Sequence, residues 1–221
     1  MRDEDFADFT AGRLLDLMKA LTVILTLPQS AADRVDALVI ATGQGEEWRL
    51  AQAIRAWEVN PALRYFLVAN GNPAEETYVE ITVDYLRGLG LCRFDGVLLQ
   101  TEPAPNTGLQ ARWIADQVQA RDITSLALTV SAYHLPRLYL TVLKELIRSG
   151  VRVPLIPVPA QVAPSTSIPE TGATTYDLVP GEMKRILTYM DKGWVATPEE
   201  LEHYLRWLWS HHETLLTGSS R

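Results

Sequence analysis

The chain has 221 residues, 47% of them apolar and 21% charged. That balance suits one globular domain, 1–221, and excludes disorder, collagen and a bare coiled coil. Acidic residues outnumber basic ones, 27 to 20, for a net charge of −7, so the basic stripe of a general nucleic-acid binder is missing and no nucleic-acid partner is expected. The single cysteine, Cys92, excludes an internal disulfide framework and a cysteine-rich zinc site. It is read as a buried small hydrophobe.

Taken in chain order, residues 8–26 are expected to form a helix, with Leu14, Leu15, Met18, Leu21 and Leu25 at helical spacing and Pro28 stopping the run. The uninterrupted apolar part, 20–27, is too short to span a bilayer, and residues 1–5 are acidic where a secretory leader is basic. The expectation is a soluble, cytoplasmic protein with no membrane span.

A short apolar run, 37–41, then reads as a buried strand ending in Thr42-Gly43-Gln44-Gly45. Trp48, Leu50, Ala51, Ile54 and Trp57 follow at helical spacing. Residues 65–69 form a second strand, ending in Asn70-Gly71-Asn72-Pro73, with a helix expected over 74–87. The third strand is 96–100, followed by a polar turn and a helix marked by Ala111, Ile114, Ala115 and Val118. The fourth, 126–130, runs into Ser131-Ala132-Tyr133-His134 and a helix over 135–147. The fifth, 152–158, is proline-rich and therefore placed at a sheet edge.

Strands and helices alternate, and the strands are continuous apolar runs. That predicts a three-layer, Rossmann-like α/β fold: a parallel sheet of about five strands, helices on both faces, and added N- and C-terminal helices. After the fifth strand the period lapses over 160–180, a loop long enough to be functional. A helix is expected over 181–190 and another over 197–214, the latter opened by the capping box Thr197-Pro198-Glu199-Glu200. The tail 217–221 is expected to fray. The tryptophans are read as packing residues, with a partner or homo-oligomer contact through Trp207 and Trp209 as a minority reading.

Ligands of open parallel sheets bind beyond the carboxyl ends of the strands. The polar clusters fall there: Gly43, Gln44 and Gly45 after strand one; Asn70, Gly71 and Asn72 after strand two; Glu102, Asn106 and Thr107 after strand three; Ser131, His134 and Arg137 after strand four. Each leads into a helix N-terminus, where free N–H groups and the dipole favour anions. Plain structural readings stand beside these. The glycines also serve any tight turn, Asn106 is a good N-cap, and His134 also reads as a satisfied half-buried histidine. Arg137 lies in the first turn of its helix, against the dipole. It therefore needs an anionic partner, either Glu102 or a ligand.

Several motifs are absent. Trp48 stands where a dinucleotide fingerprint needs its third glycine, and Asn70 where an acidic residue would grip a ribose. There is no Walker A sequence, no G-x-S-x-G elbow and no H-E-x-x-H, and no metal ligand set is read.

The segment Ser131-Ala132-Tyr133-His134-Leu135-Pro136-Arg137 resembles the T/S-x-x-H-x-x-R segment of the DUF218 (YdcF-like) family. Asn106-Thr107 with Gln110-Ala111 resembles its N-T-x-x-N-A segment. Residues 36–43, with Arg49 and Ala53, resemble its opening strand, glycine turn and R-x-x-x-A helix. Asn70-Gly71 stands near its second-strand glycine pair, and Gly181-Glu182 with Lys184 resembles its closing helix. The resemblance covers about residues 36–190. It implies a Rossmann-like fold and, as cofactor, S-adenosylmethionine, to which some members are linked without a known methyl transfer. Others are membrane-anchored and linked to envelope construction. Here the first glycine loop is short, Asn70 replaces a glycine, Leu109 and Gln110 replace acidic and asparagine residues, and the anchor is missing.

Three functions compete. The first is binding of an anionic, nucleotide-like small molecule: Gly43 to Gly45 hold its polar end, Arg137 and Arg49 pair with phosphate or carboxylate, and Asn70, Asn72 and Asn106 read hydroxyls or a base edge. The second is hydrolysis or transfer of a phosphate or pyrophosphate ester, with His134 as acid–base group near working pH, Glu102 orienting it, and 160–180 as a lid. The third is a non-catalytic scaffold or regulator.

Overall fold

The computed structural model describes residues 6, 7 and 9–218. Five strands form one sheet: β1 (Ala37–Ala41), β2 (Tyr65–Ala69), β3 (Val97–Leu99), β4 (Leu126–Ser131) and β5 (Leu155–Ala160). Their order is β3-β2-β1-β4-β5 and every neighbouring pair is parallel. In register, Val39 sits between Leu67 of β2 and Leu128 of β4. β1 is buried along its whole length, as a central strand covered on both faces must be. β5 carries Pro157 and Pro159 and lies at the edge, where a missing N–H breaks no ladder.

The helices are α1 (Ala11–Leu25), α2 (Glu47–Val59), α3 (Val83–Gly88), α4 (Thr107–Ala120), α5 (Leu135–Arg148), α6 (Thr175–Asp191) and α7 (Pro198–Thr217). A 3₁₀ turn, Gln29–Arg34, precedes β1. Right-handed crossovers put α2 and α3 on one face and α4 and α5 on the other. This is the three-layer Rossmann-like architecture expected. α1 packs outside α5, α6 and α7, burying Leu17, Ala20 and Ile24. Thr10 caps α1 through its hydroxyl, and the expected start at Asp8 lies outside the described residues.

Five expectations are corrected. The helix read over 74–87 is only α3. Before it, the Glu170 carboxylate accepts the backbone N–H groups of Glu76 and Thr77 and the Thr77 hydroxyl, at 3.1, 2.9 and 2.6 Å. These contacts tie the segment to the loop after β5. α6 begins at Thr175 rather than near 181, because Thr174 and Asp177 form a capping box ahead of Pro180. α7 is kinked at His212 (φ −128°, ψ 26°) and continues beyond it to Thr217, where Gly218 ends it in the left-handed conformation; residues 219–221 lie outside the described set. Cys92 is exposed, and Trp194 is 50% exposed instead of packed.

The chain leaves β1 and β4, neighbours in the sheet, toward opposite sides. A crevice opens between their carboxyl ends.

Candidate functional site

Two buried charge clusters flank that crevice. The first is built on Glu46, at the entry to α2, and Arg49, one turn later. Arg49 Nε donates to Glu46 Oε2 at 2.7 Å and to Ser131 Oγ at 3.1 Å, and its Nη2 donates to Glu46 Oε1 and, at 3.0 Å, to the Tyr133 hydroxyl. Ser131 and Tyr133 in turn donate to the Glu46 carboxylate. Burial pushes the Tyr133 phenol up, against the pull of Arg49, so it stays a donor. Of the two expected ligand contacts, Arg49 reaches the cavity walls described below and Ser131 does not. Arg49 already holds a carboxylate, and Ser131 is wholly buried. The cluster pins the β4 end to α2.

The second cluster centres on Glu182 of α6. Arg137 Nε donates to its Oε2 at 2.5 Å, Arg137 Nη2 to Oε1 at 3.2 Å, and Arg185 Nη1 to Oε1 at 2.7 Å. Arg137 Nη1 also donates to Thr107 Oγ1 at 2.8 Å. The anion that Arg137 needs is thus Glu182. Glu102, one of the two partners expected, the other being a ligand, is exposed, and it is not among the residues lining the cavity described below.

His134 Nδ1 lies 2.9 Å from Arg137 Nη2 and 3.2 Å from Glu182 Oε2. A guanidinium cannot accept and a carboxylate cannot donate, so the two contacts demand opposite protonation of Nδ1. The shorter one needs a bare Nδ1. Burial pushes the imidazole down, Arg137 adds to that, and Glu182 only partly opposes, leaving it at about 4. His134 is therefore neutral at pH 7, with its proton on Nε2. The expectation of a group titrating near working pH is not met. Burial opposes the charge on Glu182, yet the Arg137 guanidinium holds the carboxyl well below the usual range.

Between the clusters lies a polar cavity of about 250 Å³. Gly43, Gln44, Asn72, Asn106 and Thr107 reach its wall, as do His134, Arg137 and Arg185. Asn106 also caps α4, accepting from Leu109 N at 3.1 Å; its structural and ligand-facing readings coexist. A smaller cavity of about 180 Å³ shares Thr42, Gly43, Arg49 and Glu75 with it and reaches Gly45 and Gly71.

Gly43, Gln44 and Gly45 are three consecutive residues at positive φ, 137°, 61° and 67°. At Gly45 a Cβ would come within 2.9 Å of Thr77 and Pro169, so glycine alone fits. The Gln44 conformation is held by Glu75, whose carboxylate accepts Gln44 N at 2.6 Å and Gln44 Nε2 at 2.9 Å. The loop donor read as a phosphate cradle thus faces a resident carboxylate. Asn70 is also corrected. It is buried away from the cavity, its Oδ1 accepts Gly71 N at 2.8 Å, and its carbonyl accepts Gln110 Nε2 at 2.7 Å.

Glu46, Glu75, Glu182 and Arg185 were not singled out as site residues by sequence. For Glu46 the signal is its i,i+3 spacing to Arg49 at a helix start; for Glu182, its place in the closing helix. Glu75 falls in a segment that reads as helix surface. Among the described residues no group of three or more His, Cys, Asp or Glu is placed to hold a metal, and no helix is long and apolar enough to cross a membrane.

No family model and no curated protein matches the chain. Among solved structures it is similar to E. coli tRNA N6-threonylcarbamoyladenosine dehydratase, TcdA, at 11% identity and a TM-score of 0.30, covering 66% of this chain and 58% of that one. For the same enzyme in complex with AMP, identity is 10%, TM-score 0.31 and coverage 77% and 67%. The chain thus spans less than two thirds of the first of these structures.

Proposed function

We propose that the chain binds a small anionic, nucleotide-like molecule in the crevice beyond β1 and β4. The observation that carries this reading is the sharing of Glu182 between Arg137 and Arg185. One carboxylate against two guanidiniums, beside a neutral His134, leaves a local positive excess where α5 and α6 meet on the wall of a polar cavity that Glu75 also lines. Arg185 is the more accessible of the two, with its side chain 53% exposed, and is the group that meets a phosphate or carboxylate. Glu75, which lines both cavities, suits hydroxyls or a cationic centre rather than a second anion.

S-adenosylmethionine is one member of that class. Its carboxylate would meet Arg185, and its ribose hydroxyls would meet Glu75. Pockets for small ligands run from roughly 300 Å³ upward. The cavity of about 250 Å³ therefore needs the adjoining one of about 180 Å³, across the Gly43 loop, to hold a whole molecule of that size. In this reading His134 positions Arg137 and exchanges no proton.

Isothermal titration with ADP and with S-adenosylmethionine tests the proposal. At least one should bind to the wild type and lose about tenfold in affinity in Arg185→Gln, the size of one charge-assisted contact. Unchanged affinity in that variant overturns it.

A further inference from the structure

A second cavity, of about 540 Å³, lies against the first and shares Asn106, Thr107, Arg137 and Tyr189 with it. It opens between α4, α5 and the turn after α6. The strand-end reading does not use it.

Its charge pattern repeats that of the first. Glu145 of α5 is buried and pairs with Arg148 Nη1 at 2.5 Å, while a second guanidinium, that of Arg112, stands with its Nε 3.9 Å away. The Arg112 side chain is 64% exposed, and 3.9 Å leaves its donors free of that carboxylate. Across the linings of the two cavities three carboxylates, Glu75, Glu145 and Glu182, thus face five guanidiniums, of which Arg49 is paired with Glu46, on a chain whose net charge is −7. Positive charge gathered against the overall sign points to a ligand with anionic groups at two separate places.

The mouth carries an aromatic wall. Trp194 is half exposed and tilts against Tyr189 at 5.2 Å between ring centroids. Lys192 Nζ stands 4.6 Å from the Trp194 ring centroid, a further cation at that place. The exposed half of this indole gains by packing against a planar ring that carries negative charge nearby, where the cations can meet it.

We infer that this cavity is a second subsite, which takes a phosphorylated nucleoside: its base packs on Trp194 and its phosphate meets Arg112 and Arg148. This deepens the strand-end reading, because the ligand then spans both cavities across Arg137 and is of the nucleoside-diphosphate or dinucleotide class.

ADP is a fair probe, since stacking on an aromatic platform tolerates any base. Isothermal titration compares wild type with Arg112→Gln, Trp194→Leu and Arg185→Gln. Arg112 and Trp194 line only the second cavity, and Arg185 only the first. Losses of about tenfold in each of Arg112→Gln and Trp194→Leu support the subsite. The same losses with unchanged affinity in Arg185→Gln uphold the subsite and sink the strand-end reading. Unchanged affinity in both Arg112→Gln and Trp194→Leu overturns the subsite, whatever Arg185→Gln does. Failure of the wild type to bind ADP at millimolar concentration also overturns it. All three side chains are at least half exposed, so the variants should fold, and thermal melts of each check that.

Discussion

Arg137 in the first turn of α5 and Glu182 in the middle of α6 meet at 2.5 Å, and this contact joins the sheet's fourth crossover to the helix that follows the fifth strand. A cation in a first helical turn opposes the dipole. The buried carboxylate offsets that cost, and it also orders Arg185 and His134. Removing the Glu182 side chain leaves the Arg137 guanidinium buried without a counter-charge. Glu182→Ala should lose about 3–5 kcal/mol of stability, and Glu182→Gln, which keeps an acceptor, less. Urea unfolding of the three proteins measures both. A Glu182→Ala loss within 1 kcal/mol, of order a surface pair, would contradict the buried triad.

His134 makes stability depend on pH in a definite window. Its folded value of about 4 lies below the ordinary 6.5, so between those values the unfolded chain binds the extra proton. Stability therefore rises with pH across that window and falls on acidification from 6.5 to 4, by up to about 3 kcal/mol. Glu182 acts in the same direction further down: its depressed carboxyl is an added loss as pH falls below its ordinary value of 4.5. Thermal melts from pH 7 to 4 should show a slope that flattens above 4.5 in His134→Gln. An identical slope in wild type and variant would show that His134 is not buried and neutral.

The Glu46 and Arg49 pair should behave as a unit. Glu46→Gln or Arg49→Met alone strands a partner in the interior, at a cost of about 3–5 kcal/mol for each. The double variant should lose clearly less than the two losses added. Additive losses in a double-mutant cycle would mean that the two side chains do not share one buried network.

Gly45 has no room for a side chain and holds φ at 67°. Gly45→Ala should cost about 1–3 kcal/mol from the backbone strain alone, with the crowding by Thr77 and Pro169 added. Chemical denaturation checks the stability. Faster proteolysis within 161–174 than in wild type checks that the Pro169 contact loosens.

How far these features were legible in sequence follows from where their causes lie. β1 and β2 were read at their observed limits, because Ala37–Ala41 and Tyr65–Ala69 are unbroken apolar runs closed by polar and glycine residues. The proline-rich fifth strand was placed at an edge for a local reason, the missing N–H. The strand-end position of His134, Arg137 and Thr107 was legible for the same kind of reason. The counter-charges were not. Glu182 lies 45 residues from Arg137, and Glu75 lies 31 from Gln44; only the closed fold brings them together. The partner of the 74–82 segment is equally remote, since Glu170, more than 90 residues on, accepts its backbone donors. Ser131 and Asn70 were placed at the right strand ends but turn inward, a choice that packing makes and spacing does not reveal.

The most direct measurement on the strand-end site is native mass spectrometry of gently purified protein, with denaturing identification of whatever is released, for wild type and Arg185→Gln side by side. The expected result is a wild type that carries, or takes up on addition of ADP or S-adenosylmethionine, one small anionic nucleotide-like molecule that Arg185→Gln fails to retain. A wild type that is empty and takes up neither compound at millimolar concentration, or an Arg185→Gln protein that keeps the same molecule in full, would contradict the proposed function.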